Sequence, residues 1–300
     1  MKTRKILKEM ARLADRHAVQ KGRKFRLDDV DPGDTSGVRS KQEALRLLEH
    51  VPAMLSDLQE RLYAQDRWAL LLIFQGMDAA GKDSAIKHVM SGVNPQGCDV
   101  HSFKAPSHEE LDHDFLWRTH KVCPERGRIG IFNRSYYEEL LVVRVHSNLL
   151  DGERLPDRCV TSQIWLERFE DVNAHERYLT GNGIVVRKFF LHLSKEEQRK
   201  RFLERLDDPT KNWKFSVGDV AERERWNDYQ SAYEDVVRHT ATKRAPWLVV
   251  PADHKWYTRL VVAAAIIDAL DRLDLRFPET EKSKRRELEK VRAALLAEGG

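Results

Sequence analysis

Short apolar runs separated by helical patterns constrain the fold of this chain more than any other feature. The runs are WALLLIF, CDVHSF, RIGIF, GIVVRKFFLHL and PWLVVP, at residues 68–74, 98–103, 128–132, 183–193 and 246–251. Strands of a parallel sheet are buried on both faces, so they consist of nearly continuous apolar residues, and helices connect them. The pattern therefore predicts an α/β fold with a parallel sheet of about five strands flanked by helices.

Composition excludes several classes of protein. Charged residues make up 33% of the chain but the net charge is only +4, so no field of one sign directs it to nucleic acid or to a membrane. No apolar stretch is long enough to span a bilayer. The cysteines Cys98, Cys123 and Cys159 are widely spaced, in a pattern that fits neither a disulfide framework nor a zinc site. A cytoplasmic, reducing location is expected.

The two ends differ in composition from the centre. Residues 1–39 are predicted to be a peripheral basic arm, for which contact with a polyanion and a merely solvated helix face both stay open. Residues 40–275 form the predicted domain. Residues 276–300 are predicted to be a charged helical tail, whose apolar stripe is at most a docking or oligomer surface: Leu288, Val291 and Leu295.

A glycine-containing loop follows the first apolar run. In GMDAAGKDS, Gly76, Gly81 and Lys82 satisfy the pattern GxxxxGK between a predicted strand and a predicted helix. Glycines let backbone amides point at an anion, the helix N-terminus adds partial positive charge, and the lysine reaches phosphate oxygens. The loop predicts a phosphate site, and an ordinary tight turn is the alternative. Asp83 stands where Ser or Thr usually binds magnesium, although Ser84 follows it.

A polar tripeptide ends the third predicted strand. Ligands of open parallel sheets bind beyond the carboxyl ends of the strands, so Asn133, Arg134 and Ser135 should face the same crevice as the loop. Arg134 is a candidate phosphate clamp, with a surface salt bridge as the alternative. Ser135 and Glu138 form an SxxE capping box, so Glu138 is a helix cap, a metal ligand or both. Arg144 is a weaker candidate.

A helix rich in arginine follows the fourth predicted strand, and Ser194 with Glu197 forms a capping box at its start. Residues Gln198, Arg201 and Arg205 share one face of this helix. A lid that clamps a polyanion and a solvated helix both fit this arrangement. Further on, Trp226, Tyr229 and Tyr233 have helical spacing, which is more typical of core packing than of a stacking platform.

These motifs together resemble the second polyphosphate kinase family. The matching segments occur in the same order over about residues 45–275: GMDAAGKDS, FKAPS, HDFLWR, NRSYYEE, VVRVH, SKEEQRKRFLER, WKFS, ERERW and PADHKWY. The resemblance implies a three-layer P-loop kinase-like fold with a helical lid at about residues 195–225. It also implies Mg²⁺, or Mn²⁺ in its place, and assembly into homodimers or homotetramers.

The activity that the resemblance implies is reversible phosphoryl transfer between inorganic polyphosphate and the adenine nucleotides AMP, ADP and ATP, with guanine nucleotides as further candidates. NRSYYEE followed by VVRVH resembles the branch that uses both AMP and ADP. One branch of the family has Asp where this chain has Asn133. A neutral amide cannot supply that charge, so Glu138 is the candidate to supply it.

The resemblance also implies roles for individual residues of these motifs. The catalytic candidates are Asp78, Lys82, Arg134 and Glu138, of which Asp78 and Glu138 are the candidate metal ligands. The candidate phosphate-binding residues are Gly76, Ala79, Ala80, Gly81, Lys82, Asp83, Ser84, Lys104, Arg134, Arg144, Arg201 and Arg205. Two alternatives to a polyphosphate-dependent phosphotransferase stay open. One is an ATP-dependent nucleoside monophosphate kinase of the thymidylate kinase type, and the other is a non-catalytic phosphate sensor.

Overall fold

A six-stranded sheet forms the centre of the molecule, for which a computed structural model describes residues 3–298, without the side chains of residues 3, 214, 217 and 282. The strands are β1 (Ala18–Val19), β2 (Ala69–Gln75), β3 (Cys98–Ser102), β4 (Ile129–Asn133), β5 (Ile184–His192) and β6 (Trp247–Pro251). Their order is β1-β6-β5-β2-β4-β3, and every pair is parallel except β1 with β6. The five predicted parallel strands are confirmed, and β1 is an antiparallel addition.

Helices cover both faces of the sheet. In chain order they are α1 (Thr3–His17), α2 (Lys41–Gln65), α3 (Lys82–Val89), α4 (His108–Leu111), α5 (Trp117–His120), α6 (Ile164–Gly181), α7 (Lys195–Asp207), α8 (Val217–Glu224), α9 (Trp226–Thr240), α10 (Lys255–Asp271) and α11 (Lys282–Ala297). Residues of α1, α2, α3 and α10 share one apolar core, and residues of α6 and α9 share the other. This is the predicted three-layer arrangement. Within residues 3–298, no helix has the length and apolar character needed to cross a bilayer.

The pleat of the central strand divides its side chains between the two cores. Leu70, Leu72 and Phe74 of β2 pack in the first core, while Leu71 and Ile73 pack in the second. Side chains of a strand alternate between the faces of its sheet, so a strand covered on both sides has to be apolar throughout. This is why the run WALLLIF contains no charged residue, and why the chain becomes polar where β2 ends at the glycine loop.

The N-terminal segment is not peripheral, and that prediction was wrong. The apolar side chains of α1 are buried against α10 and α2: Ile6, Met10, Leu13 and Ala14. His17 Nε2 and the Tyr257 hydroxyl share a hydrogen bond of 2.8 Å. The basic residues of α1 lie on the remaining face, so the segment is an amphipathic helix of the domain. Residues 1–2 and 299–300, at the ends of the predicted arm and tail, lie outside the described residues.

A buried charged cluster fixes the second core beside β4. Lys188 Nζ donates to Glu176 Oε2 at 2.7 Å, to the Tyr137 hydroxyl at 3.0 Å and to the Thr240 carbonyl at 2.8 Å. The hydroxyls of Tyr136 and Tyr137 both donate to Glu176 Oε1. Lys188 is 0% exposed, so each of its protons needs a partner within the protein. The cluster anchors the segment that follows Arg134 to the centre of the domain.

Candidate active site

The loop of residues 76–82 has the backbone that a phosphate cradle requires. Gly76 has φ +156°, and a Cβ there would lie 2.9 Å from the Leu191 carbonyl oxygen; Gly81 has φ +99°. Both positions therefore favour glycine. The first intrahelical bond of α3 runs from the Ala85 amide to the Gly81 carbonyl at 2.9 Å. The preceding amides of Lys82, Asp83 and Ser84 have no acceptor in the helix and lie at its positive end.

Two loop residues with predicted phosphate contacts make other bonds as well. The Ala80 amide donates to the Met77 carbonyl at 3.1 Å, which closes a turn inside the loop. Ala79 has φ +63°, a left-handed conformation that costs energy in a residue with a Cβ. Its carbonyl oxygen accepts from Arg201, so the strained turn is held from outside.

Lys82 is buried at the centre of the loop. Its Nζ donates to the Gly76 carbonyl at 2.6 Å and lies 3.4 Å from the Met77 carbonyl. Burial, followed by the positive charge of Arg134, lowers the pKa of Lys82 from 10.5 to about 8. An anion beside this ammonium would favour its charged form, because opposite charges stabilise each other in a poorly solvated site. The position suits a phosphate ligand.

Arg134 lies between two carboxylates. Its Nη2 donates to Asp78 Oδ1 and its Nη1 donates to Glu138 Oε2, both at 2.8 Å. The negative charge of Glu138, with a further contribution from Asp78, raises the pKa of Arg134 above its ordinary value. Arg134 has φ +66°, and its amide donates to the Phe74 carbonyl at 3.0 Å, across from β4 to β2. The backbone at the end of β4 thus directs this guanidinium toward the loop.

The side chain of Glu138 belongs to this group and not to a helix cap. It bonds Arg134, and Ser135 Oγ accepts from the Tyr137 amide at 3.1 Å, so the reciprocal half of the predicted capping box does not form. A π-helix, Glu139–Val143, follows where a regular helix was expected. Asp78 and Glu138 offer hard carboxylate oxygens on either side of one guanidinium. This donor set fits Mg²⁺, which prefers one or two carboxylates together with phosphate oxygens.

Helix α7 holds the loop backbone in place. Gln198 Nε2 donates to the Asp78 carbonyl at 2.9 Å, and Arg201 Nη1 donates to the Ala79 and Ala80 carbonyls at 3.0 and 3.2 Å. The other nitrogens of Arg201 bond Glu197 Oε1 and the carbonyls of Ala252 and Asp253. Arg201 is 4% exposed. The donors of Arg201 thus bind main-chain carbonyls and one carboxylate, and the predicted phosphate clamp at this residue stays a prediction.

Arg205, one turn further along α7, differs from Arg201. Its Nη1 lies 4.0 Å from Asp219 Oδ2, beyond hydrogen-bond distance, and its side chain is 26% exposed. This guanidinium has donors to offer to an anion. The neighbouring helix α8 is attached to α7 through Arg223, which donates to Gln198 Oε1 at 2.9 Å and to the Lys195 carbonyl at 2.7 Å. Gln198 therefore connects the lid helix α8 with the loop.

Two further pairs connect the start of α3 with its neighbours. Asn133 Nδ2 donates to Asp83 Oδ1 at 2.6 Å, and Arg259 Nη2 donates to Ser84 Oγ at 3.1 Å. The side chains of Asp83 and Ser84 thus bond protein groups, while the amides of both residues lie at the N-terminal end of α3. Sequence analysis assigned no role to Arg259, which adds a cation from α10 beside the loop. A basic residue on a helix 175 positions away leaves no local signal.

Arg144 and Lys104 are the two remaining phosphate-binding candidates. Arg144 Nη2 donates to Asp235 Oδ2 at 2.6 Å, and its guanidinium lies 5.7 Å from the ring centroid of Phe169. This ion pair and the stacking hold Arg144 against α9 and α6, and its predicted phosphate contact stays a prediction. Lys104 is exposed just beyond β3, and its carbonyl accepts from Arg118 Nη1 at 2.8 Å.

A glycine loop after the central strand, a buried lysine and an arginine beyond the adjacent strand define a P-loop kinase-like enzyme. The chain belongs to the polyphosphate kinase 2 family. The model of this family, described as Polyphosphate kinase 2 (PPK2), matches residues 38–278. This confirms the resemblance in the sequence.

Similar proteins cover nearly the whole chain. It is 52% identical over 258 residues to the ADP-polyphosphate phosphotransferase of Rhodopseudomonas palustris, covering 86% of this chain and 89% of that protein. It is 43% identical over 267 residues to the AMP/ADP-polyphosphate phosphotransferase of Meiothermus ruber, covering 89% of this chain and 96% of that protein. The crystal structure of polyphosphate kinase 2 from Arthrobacter aurescens matches with a TM-score of 0.84 and 41% identity, covering 92% of this chain and 95% of that one.

Proposed function

We propose that this enzyme transfers phosphoryl groups between inorganic polyphosphate and adenine nucleotides, with both AMP and ADP as acceptors. In the forward direction a terminal phosphate oxygen of the nucleotide attacks the terminal phosphorus of polyphosphate. A new P–O bond forms, and the bond to the next phosphate breaks and leaves its electron pair on the shortened chain. The same steps in reverse lengthen polyphosphate at the expense of ATP.

The observation that carries this proposal is the convergence of Lys82 and Arg134 at one loop. An ionised phosphate oxygen is already a nucleophile, so the reaction needs alignment and charge neutralisation and little proton transfer. The amides at the start of α3 and the Lys82 ammonium would bind the transferred phosphoryl group. Arg134 would neutralise charge on that group as it moves between donor and acceptor.

Asp78 and Glu138 are the residues that would hold Mg²⁺, with Mn²⁺ as the alternative ion. When bound, the ion neutralises phosphate charge and aligns phosphate oxygens. Arg134 bonds both carboxylates at 2.8 Å, so the side chains of Asp78 and Glu138 lie beside the same guanidinium. These bonds also mean that the arginine has to share its partners once a cation and phosphates bind.

Helix α7 contributes in two ways to this proposal. Gln198 and Arg201 position the loop carbonyls of residues 78–80, and Arg205 would bind phosphates of the donor chain further from the reacting atoms. The roles of the two arginines differ because Arg201 is buried and fully bonded, whereas Arg205 is partly exposed. Binding of a long polyanion under the lid then depends on Arg205 and the neighbouring cations.

Incubation of the purified protein with ADP, Mg²⁺ and polyphosphate, without added ATP, tests the proposal. The expected result is ATP formation that requires all three components and is lost in Lys82→Ala. A kinase of the thymidylate kinase type would form no product until ATP is supplied with a nucleoside monophosphate. A phosphate sensor would bind polyphosphate saturably without converting nucleotide. Either result would refute the proposal.

Assays with AMP or ADP as the sole acceptor test separately whether the enzyme phosphorylates nucleoside monophosphates and nucleoside diphosphates. The segment NRSYYEE supports use of both, and the two relatives differ in the acceptors in their names. We expect ADP to appear first from AMP and ATP to follow, and ATP to appear directly from ADP. Product from ADP alone would restrict the enzyme to diphosphates. GDP in place of ADP measures base selectivity.

Three further features belong to the proposal. Activity should disappear with a chelator and return with Mg²⁺ or Mn²⁺. The chain should form a homodimer or homotetramer, measured by light scattering, for which the exposed apolar residues Leu288, Val291 and Leu295 of α11 are a candidate contact. A cytoplasmic location fits the three unpaired cysteines, and fractionation of cells that produce the protein tests it.

A further inference from the structure

Three potential metal ligands meet at a place that the proposed reaction does not use. His120 ends α5, Cys123 lies in the following turn, and His175 is on α6. Ligand atoms of all three lie within 4.8 Å of one another. Phosphoryl transfer between phosphates needs neither histidine nor cysteine, so their convergence has no explanation in the chemistry proposed above.

The environment of His175 points to a missing partner. Its Nε2 is buried and has no hydrogen-bond partner among residues 3–298. A buried polar atom without a partner costs free energy, so native proteins satisfy nearly all such atoms with protein, water or an ion. Its ring lies 5.5 Å from that of His120 and 5.3 Å from that of Tyr136, measured between centroids. The His175 ring thus packs against the rings of His120 and Tyr136.

We propose that His120, Cys123 and His175 form a binding site for a first-row transition-metal ion, with Zn²⁺ as the ion that the donors fit best. Imidazole nitrogen and thiolate sulfur suit such ions and disfavour Mg²⁺. Zn–N and Zn–S bonds of about 2.0–2.3 Å place tetrahedral ligand atoms roughly 3.3–3.8 Å apart, so about 1 Å of side-chain movement closes the set. Three protein ligands leave the fourth position to water.

The ionisation of His175 and Cys123 is compatible with this role. Burial, with the nearby His120 as a smaller cause, lowers the pKa of His175 to about 4, so at neutral pH its ring is uncharged and can coordinate. Burial raises the pKa of the Cys123 thiol to about 11. Metal binding must therefore release that proton, and a bound cation is what stabilises a buried thiolate. In this structure Cys123 Sγ lies 3.5 Å from the Thr119 carbonyl oxygen instead.

The surroundings of these three residues allow an ion to enter, and they determine which parts of the fold a bound ion would connect. His120 is exposed, and His120 and Cys123 line a cleft of about 270 Å³ through which an ion can arrive. Because His120 and Cys123 precede β4 while His175 is on α6, an ion would pin the first segment to that helix. His175 also touches Tyr136, two residues beyond Arg134. The metal would therefore stabilise the layer behind the active site without contacting phosphate.

The spacing of the cysteines gave no sign of such a site. The expectation that they fit no zinc site concerned cysteines alone, and two of the ligands here are histidines. His175 is 52 positions from Cys123 and on another helix, and only the fold brings them together.

Titration of the untagged, chelator-treated protein with Co²⁺ tests the proposal. The expected result is one equivalent bound with a thiolate-to-cobalt charge-transfer band and visible bands of a tetrahedral ion. Cys123→Ser should abolish the charge-transfer band, and His175→Ala should weaken binding at least about 100-fold, since even outer partners of metal ligands are worth 10–100-fold. Cys98→Ser, a partly buried cysteine elsewhere, is the matched control and should bind normally.

A second measurement separates coordination from misfolding. Zn²⁺ should raise the melting temperature of the wild type and of Cys98→Ser, but not that of Cys123→Ser. If Cys123→Ser or His175→Ala fails to fold, the exposed His120→Asn gives the same test. Absence of a thiolate band in the wild type, or equal binding in every variant, overturns the proposal. Neither readout depends on phosphotransfer, so failure here leaves the proposed function untouched.

Discussion

Gln198 donates its side-chain amide to the main-chain carbonyl of Asp78 at 2.9 Å, across 120 positions of sequence. The same side chain accepts from Arg223 on α8 at 2.9 Å. Gln198 is 1% exposed, so both bonds are made inside the protein. A single neutral residue thus joins the lid helix α8 to the loop that carries Lys82, and the position of α8 is linked to the shape of the candidate phosphate site.

Gln198→Ala should lower kcat by about 10–100-fold, because displacement of a catalytic loop by around 1 Å is enough for such a loss. KM for polyphosphate should change much less, since Gln198 donates to the protein and not to substrate. Steady-state kinetics with ADP checks this. Gln163→Ala, an exposed glutamine before α6, is the control and should behave as wild type. Wild-type kcat in Gln198→Ala would show that the link has no catalytic role.

Arg205→Ala should raise KM for polyphosphate roughly fivefold at low salt, which corresponds to about 1 kcal/mol for one solvent-facing charge pair. It should also make KM less sensitive to ionic strength, because salt screens exposed charges and one of them is gone. Arg199→Ala on the same helix is the matched control. Arg199 is paired with Glu196 at 2.6 Å on the outer surface. Equal effects of the two substitutions would contradict a specific role for Arg205.

The value of kcat/KM for polyphosphate should fall as pH rises through about 8. Lys82 attracts phosphate when it is charged, and in the free enzyme its pKa is lowered to about 8, mainly by burial. Bound phosphate stabilises the ammonium, so kcat should stay constant to higher pH than kcat/KM. Recovery of activity on return to pH 7 controls for unfolding. A kcat/KM profile that stays flat to pH 10 would contradict this role of Lys82.

Lys188→Met should lower the free energy of unfolding by about 3–5 kcal/mol, because it leaves the carboxylate of Glu176 buried without its cation. Both residues are almost inaccessible to solvent, at 0% and 2%. Denaturation by urea measures the loss. The double variant Lys188→Met/Glu176→Leu should recover part of it, since the uncompensated charge is then removed as well. A change below about 1 kcal/mol in the single variant would contradict the stabilising role of this pair.

Much of the fold was predictable because its signals are local. The strands follow from continuous apolar runs, and Gly76 and Gly81 mark the loop because their backbone conformations exclude most other residues. Ser194 caps α7, accepting from the Glu197 amide at 3.1 Å, which is one half of the predicted capping box. The other half does not form, because the Ser194 amide donates to Asp253 Oδ1 and the Glu197 carboxylate accepts from Arg201. The burial of Trp226 and Tyr229 follows from their helical spacing.

The remaining features depend on which distant groups meet. Arg201 and Arg205 look alike in the sequence, but only Arg201 reaches main-chain carbonyls of the loop and of the segment after β6. A carbonyl acceptor is present at every residue and leaves no pattern to read. The pair of Asn133 with Asp83 is likewise set by the alignment of β4 with β2. For α1, the many basic residues of the segment favoured a peripheral arm, whereas its burial depends on contacts with α10 and α2, which are distant in sequence.

Turnover of Lys82→Ala with polyphosphate and ADP tests the central claim most directly. That claim is that the ammonium in the glycine loop stabilises the phosphoryl group in transfer. The account predicts a fall in kcat of at least about 100-fold, the scale for removing one transition-state donor, in a protein whose circular dichroism and melting temperature show that it is folded. Near-normal turnover in the folded variant would remove the loop from the mechanism and contradict the account.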